Sequence, residues 1–164
     1  MRVMRVSNRL DIEARFGLPS PEPSGIDRTR GVIVSLHVAS GAAAGALARS
    51  RSAAIATGLA LHFLGDRVPH HDVASRRFEI VSGGSLLLLL GLRRGLTDPA
   101  VIGAVASSAP DLEHVLPFPR PGGRKLFPSH RIAGWHRSGG LTTATQVLAA
   151  GLLVGALLGR RSAD

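Results

Sequence analysis

Five apolar segments, separated by arginines, prolines and glycines, make up most of the chain after Gly31. Asp98-Pro99 begins the fourth segment as a helix cap would, Pro110 ends it, and arginines follow the others. Apolar side chains lie nearly all round each segment. The pattern predicts an all-α bundle of about five helices, at 32–48, 53–66, 78–92, 97–109 and 141–158.

The amino-acid composition also favours helices over sheets. Aromatic residues form only 4% of the chain, while Ala, Gly and Leu are abundant, and small side chains let helix backbones approach closely. Cys is absent, so any metal would have to be bound by His and carboxylates. The net charge of +9 comes from scattered arginine doublets without interleaved aromatics, which argues against a nucleic-acid partner.

Hydropathy predicts that this bundle is embedded in a phospholipid membrane. The uncharged stretch 138–159 is long enough to cross about 30 Å of hydrocarbon, which takes about 20 residues. The second to fourth segments are shorter, and a soluble bundle is therefore the alternative. The positive mean hydropathy of +0.20 favours the membrane. We expect a multi-pass protein of a bacterial-type inner (plasma) membrane.

The first 31 residues are expected to form a separate, disordered, basic and Pro-rich tail. They contain six arginines and the turn-rich run Pro19-Ser-Pro-Glu-Pro-Ser-Gly25, without sustained apolar periodicity. An over-extended gene start, with the protein beginning near Val32, is the alternative. Residues 32–164 would then form one helical membrane metal-binding domain.

Short connections make successive helices antiparallel, so that helix ends alternate between two faces of a bundle. This alternation places the loops 66–77 and 110–137 on one face, together with His37 near the start of the first helix. All seven histidines then lie on or near this polar His/Asp face. The basic tail favours a cytoplasmic position for it.

The densest cluster is His62-Phe-Leu-Gly-Asp66-Arg-Val-Pro-His70-His71-Asp72. His62 and Asp66 are four residues apart and share one helical face. His70 and Asp72 point the same way on the extended segment that follows. We predict metal binding by His62, Asp66 and His70, with a capped helix end and a His–Asp hydrogen bond as the alternative.

A second cluster, Asp111-Leu-Glu113-His114, follows a purely apolar helix. Asp111 and His114 are three residues apart and face the same point on a helical turn. We predict both as metal ligands. The alternative is a plain N-terminal cap, with Asp111 beginning a short helix.

In the third cluster an arginine follows each of two histidines, as His130-Arg131 and His136-Arg137. A metal ion would keep both imidazoles neutral and leave the arginines to bind an anion. The alternative is a basic interfacial loop with Trp135 as its anchor. We predict His130 and His136 as metal ligands, and the substrate-binding arginines as Arg67, Arg131 and Arg137.

These motifs resemble those of a bacterial inner-membrane family described as metal-dependent hydrolases. The resemblance covers about residues 32–160 and rests on the order His37…Gly41, HFLGDRVPHHD, APDLEH and SHR…GWHRS. It implies that Asp111 and His114 occupy the family's acidic–His motif, and that its His-Arg/His-Ser motif is formed by His130, His136 and Ser138, the last at the substrate. The chain departs from the family pattern at Ser35-Leu36, Glu113 and Trp135. His62 and Asp66 also resemble, more weakly, the His-x3-Asp pair of zinc-dependent phospholipase C.

Together the clusters predict a membrane-bound metal-dependent hydrolase that acts on a phosphoester or similar anionic substrate, a lipid being one candidate. The cofactor would be a divalent metal, zinc first, with manganese or magnesium as alternatives, which activates water. Glu113 or Asp72 would be the general base. The alternative is a non-catalytic helical membrane protein whose clusters bind metal or brace the bundle. His37 and His71 fit a structural role as well as a metal-binding one.

Overall fold

Six α-helices form the part of the chain that the computed structural model describes, which is residues 33–71, 73, 75–137 and 139–159. The tail at 1–31 lies outside these residues. Within them no strand is present, and the one isolated β-bridge joins His70 to Leu141, so the all-α prediction is confirmed. The helices are α1 (Val34–Leu47), α2 (Arg51–Gly65), α3 (Arg76–Arg94), α4 (Pro99–Ser108), the short α5 (Leu112–Val115) and α6 (Thr143–Gly159).

Side-chain caps explain where three of the helices begin. The side chains of Ser50, Ser75 and Asp98 accept hydrogen bonds from the backbone amides of the first turns of α2, α3 and α4. These bonds satisfy amide groups that have no partner within the helix. At the other end of α3, Gly95 has a φ of 85°, a conformation that glycine adopts without strain. The five predicted helices begin and end within a few residues of α1 to α4 and α6.

Glycines set the closest contacts of the bundle, which are those of α4 with α1 and α2. A Cβ atom at Gly103 of α4 would lie 2.4 Å from the carbonyl oxygen of Gly41 in α1, and one at Gly58 of α2 would lie 2.6 Å from the carbonyl oxygen of Gly103. Helix backbones this close leave room for the second α-hydrogen of a glycine but not for a side chain. Helix α1 also contacts α3 and α6, and the buried apolar core between them includes Val38, Leu90 and Val154.

The prediction of a membrane-embedded bundle is wrong. In the described part of the chain, no helix combines the length and the apolar character needed to cross a membrane, which is at odds with the predicted multi-pass inner-membrane protein. The uncharged stretch 138–159 is not all helix, because Gly139 and Gly140 have positive φ and Leu141 pairs with His70. Helix α6 begins only at Thr143. Hydropathy alone does not show at which residue a helix begins.

We expect Gly103→Ala to lower the free energy of unfolding by about 2 kcal/mol, as overpacked cores typically do. The added methyl group would meet the backbone of Gly41 and Gly45. The control is Gly155→Ala on an open surface of α6, where nothing lies within 4 Å of the new atom; it should raise stability by up to about 1 kcal/mol. Urea denaturation of both variants measures the difference. Equal stabilities would show that the glycine contact is not tight.

Candidate metal centre

The side chain of Asp66, which is fully buried, is the point at which four histidines meet. Its Oδ1 atom lies 3.3 Å from Nε2 of His37. Its Oδ2 atom lies 3.3 Å from Nε2 of His62 and 3.6 Å from Nε2 of both His130 and His136. Burial alone would raise the pKa of Asp66, but the close contacts and charges of the His37 and His62 imidazoles hold this pKa well below its usual range. Asp66 is therefore a carboxylate in the folded protein.

The hydrogen bonds of two imidazoles determine which of their nitrogens carries hydrogen. Nδ1 of His62 lies 2.8 Å from the carbonyl oxygen of Ser107, and Nδ1 of His130 is bonded to the carboxylate of Glu113. A carbonyl and a carboxylate only accept hydrogen bonds, so both Nδ1 atoms are donors. In the neutral rings both Nε2 atoms then carry lone pairs, and these two atoms are 3.2 Å apart.

Two lone pairs at this distance, facing a carboxylate, require a positive charge between them. A proton on His62 is one such charge: burial lowers the pKa of His62, but the hydrogen bond of Asp66 and the charges of Asp66 and Asp111 outweigh it and raise the pKa. Burial lowers the pKa of His130 more than Glu113 raises it, which keeps that ring neutral. The arrangement can therefore hold a cation, which is either this proton or a metal ion.

A single proton would leave several buried polar atoms unsatisfied. The atoms without a hydrogen-bond partner in the described structure include Nε2 of His37, Oδ1 of Asp66, Oδ2 of Asp111 and Nδ1 of His136. Buried polar groups without partners are uncommon in folded proteins and call for an explanation. A bound metal ion would accept the lone pairs of Asp66 and His37, whose ligand atoms lie 3.3 Å apart.

Among the described residues, four groups of three side chains place their ligand atoms within 4.8 Å of one another and could hold a metal ion. Ligands of one tetrahedral zinc ion lie about 3.3–3.6 Å apart, given bonds of 2.0–2.2 Å, and the spacings around Oδ2 of Asp66 are 3.3–3.6 Å. The residue types and the spacing therefore both fit a metal. The groups are His37/His62/Asp66, His62/Asp111/His130, Asp66/His130/His136 and Glu113/His114/His130. We call the first three groups together the metal centre.

Local structure explains how each ligand reaches this point. His62 and Asp66 lie one turn apart at the end of α2. A 3-10 turn at Ala109–Asp111 follows α4 and brings Asp111 to within 4.0 Å of Nδ1 of His62. Another 3-10 turn, Pro128–His130, presents His130. The sequence prediction placed these histidines and acids on one face, and the structure brings them together with His37.

Several predicted site residues lie elsewhere. His70 belongs to no described group of metal-ligating side chains; it is buried, its Nδ1 lies 2.5 Å from the carbonyl oxygen of Val68, and its backbone pairs with Leu141. His114 lies outside the metal centre but belongs to the fourth group, with Glu113 and His130, and its ring lies 4.3 Å from that of His130, centroid to centroid. His71 is exposed. The predicted residues Asp72 and Ser138 lie outside the described residues.

The three predicted substrate-binding arginines have different positions. The guanidinium of Arg67 stacks over Trp135 and donates to the carbonyl oxygen of Gly134. Trp135 itself packs against Phe63 and donates to its carbonyl oxygen. Arg137 is exposed, and its carbonyl oxygen accepts a bond from the backbone of His70. Only Arg131 lines a cleft beside His130.

Sequence reasoning missed the residues that orient the ligands. Ser129 is buried and donates its hydroxyl to Oδ2 of Asp66. Glu113 was predicted as a general base, and this remains a prediction. Its Oε1 accepts from His130 and its Oε2 from the backbone amide of Leu126, so the structure gives it an orienting position. Only the adjacency of Ser129 to His130 in the sequence hinted at the first of these contacts.

Comparisons of the chain with models of known protein families, with curated proteins and with solved structures gave no match. The resemblance of the motifs to an inner-membrane hydrolase family therefore stays a prediction. Function has to be inferred from the geometry of the metal centre.

We expect Glu113→Gln to weaken zinc binding about 10- to 100-fold, the usual effect of losing a group that orients a ligand. The new amide group would place a donor against either His130 Nδ1 or the Leu126 amide, both of which donate to Glu113. Competition with a chromophoric chelator measures the affinity. The control is Asp98→Asn at the far end of α4, since Asn also caps helices. Equal affinity in all three proteins would contradict this role for Glu113.

We also expect metal-free protein to lose stability as the pH falls from about 6.5 towards 4. Burial and the charges of His130 and Lys125 lower the pKa of His114 from 6.5 to about 4, so the unfolded chain binds a proton in this range that the native protein does not. For this partly exposed ring, screening by solvent reduces the loss to about 1 kcal/mol. Urea denaturation with chelator present, at pH 7 and pH 5, should show a smaller loss for His114→Asn. If the stability of His114→Asn depended on pH as strongly as that of the wild type, the assignment of this effect to His114 would be wrong.

Proposed function

We propose that this protein is a metal-dependent hydrolase that uses zinc and acts on a phosphoester or a similar anionic substrate. The observation that carries the proposal is the pair of imidazole Nε2 lone pairs, 3.2 Å apart, that face the ionised Asp66. Imidazole nitrogens outnumber carboxylate oxygens in the centre, which favours zinc over magnesium or manganese. The motif resemblance to metal-dependent hydrolases points the same way.

The residues of the metal centre would have different roles in the reaction. His62, His130 and Asp66 would hold the metal, and Glu113 and Ser107 would keep the Nε2 atoms directed at it. Zinc bound there would supply Lewis acidity and bring the pKa of a water molecule to about 7. A cleft beside His130 offers a route for substrate.

Asp111 is the best-placed proton acceptor of the described acids. Its Oδ1 lies 3.8 Å from Nε2 of His130, and its Oδ2 has no hydrogen-bond partner among the described residues. Its side chain is also 15% exposed, against 1% for Asp66, and therefore lies nearer the solvent. Glu113, whose oxygens are both engaged, is less suited to this role.

A structural metal site is the second candidate. The observation that favours it is the depth of the centre, since His37, His62 and Asp66 are at most 1% exposed. Structural zinc sites are closed, whereas catalytic ones keep a coordination position open to solvent. In that case zinc would stabilise the bundle without any turnover.

Two substitutions of the centre, Asp66→Asn and His130→Ala, test the proposal. We expect the purified wild-type chain to bind at least one equivalent of zinc and to hydrolyse p-nitrophenyl phosphate. Each variant should lose zinc by elemental analysis and lose at least about 100-fold in turnover, as for the removal of an essential catalytic group. His71→Ala, which changes an exposed histidine next to the centre in sequence, is the control and should retain both.

The outcomes separate the two candidates. Bound zinc that raises the melting temperature, with no hydrolysis of any anionic ester, would favour the structural site and contradict the hydrolase. Binding of less than one equivalent of zinc, manganese or magnesium would contradict both. Turnover that survives in Asp66→Asn would place the chemistry outside this centre.

A further inference from the structure

A basic cleft of about 760 Å³ lies beside the metal centre, on the side of His130. Two of its cationic residues, Arg124 and Lys125, belong to none of the motifs on which the sequence predictions rest. None of the residues that the structure places along it is an acid. They are Arg124, Lys125, Pro128, His130, Arg131 and Ile132.

The guanidinium groups of the cleft differ from the other arginines close to the centre. Arg67 is held by Trp135, and Arg120 donates to the carbonyl oxygen of Glu113. Among the described residues, no carboxylate lies within ion-pair distance of Arg124 or Arg131. Guanidinium groups present a planar fork of donors that matches two oxygens of a phosphate. These two forks and the Lys125 ammonium line the same cleft.

Charge balance indicates a dianion. The metal centre contains two acidic side chains, Asp66 and Asp111, and one divalent metal ion would balance their charges. Arg124 and Arg131, which no described carboxylate approaches within ion-pair distance, add two positive charges beside it. A ligand with two negative charges would neutralise the site as a whole, and its Coulomb attraction to the cleft is about twice that of a monoanion.

We propose that the cleft formed by Arg124, Lys125 and Arg131 binds the phosphate group of a phosphomonoester and holds it against the metal centre. This names the substrate class of the proposed hydrolase and rests on that function for turnover. In the reaction the oxygen of a water molecule bonds to phosphorus, the ester P–O bond breaks, and the alcohol leaves with a proton, so that the products are the alcohol and inorganic phosphate. Pro128 and Ile132 form an apolar wall for the alcohol portion.

Binding of phosphate itself tests the cleft independently of turnover. Isothermal titration of inorganic phosphate into the full chain at pH 7.5, metal-free and zinc-loaded, should give a saturable site in both forms. Arg131→Ala, and Arg124→Ala with Lys125→Ala, should each raise the phosphate Kd at least 10-fold. The charge-matched control is Arg49→Ala with Arg93→Ala, at exposed helix ends, which should change the Kd less than twofold. Arg131→Lys should recover only part of the affinity, because the fork is lost.

A second set of ligands tests the monoester class. Methyl phosphate and a short-chain phosphatidic acid carry the same group, and tight binding of either supports the proposal while distinguishing a soluble from a lipid source. Dimethyl phosphate, a monoanion, should bind at least 10-fold more weakly than methyl phosphate. Equal affinity for dimethyl phosphate and methyl phosphate would overturn the assignment of phosphomonoesters as the substrate class.

The failures of the two proposals are distinguishable. If the cleft variants bind phosphate as well as wild type does while zinc stoichiometry is intact, the cleft proposal falls and the metal centre stands. If the wild-type chain binds no metal but its phosphate binding depends on Arg124 and Arg131, the hydrolase falls and the anion site stands. Absence of saturable phosphate binding in both forms overturns the cleft.

Discussion

The carboxylate of Asp66 connects the parts of the chain that are far apart in sequence. Its two oxygens face His37 from α1, His62 from its own helix, and His130 and His136 from the long segment before α6. A buried carboxylate is costly unless charges and hydrogen bonds compensate for the lost water. These contacts therefore stabilise the arrangement of the loops and keep the imidazole nitrogens close to one carboxylate.

The close approach of α1, α2 and α4 at Gly41, Gly58 and Gly103 makes this convergence possible. It brings α4 near enough to α2 for the carbonyl oxygen of Ser107 to contact His62. The close packing of α4 against α2 thus determines which ring nitrogen of His62, a candidate ligand, carries the hydrogen. Packing and site chemistry depend on the same contact between helices.

Much of the candidate site followed from local spacing. The four-residue interval of His62 and Asp66 places both on one face of a helix whatever the rest of the fold does, and antiparallel helices bring alternate loops to one end. His70 followed the same logic, but it belongs to none of the described groups of ligand side chains, and its backbone pairs with Leu141. The membrane prediction was wrong because apolar composition gives no information on how far a helix extends, and positive φ at Gly139 and Gly140 shortens the last one.

By itself the sequence determined the five long helices, their approximate ends and several of the candidate metal-ligating side chains, because caps, breakers and helical periodicity act over a few residues. Only the tertiary structure decided that His37 joins the centre, that Glu113 orients His130, and that Arg124 and Lys125 line the cleft with Arg131. Those relations depend on distances between segments that are far apart along the chain, and residue spacing carries no information about such distances.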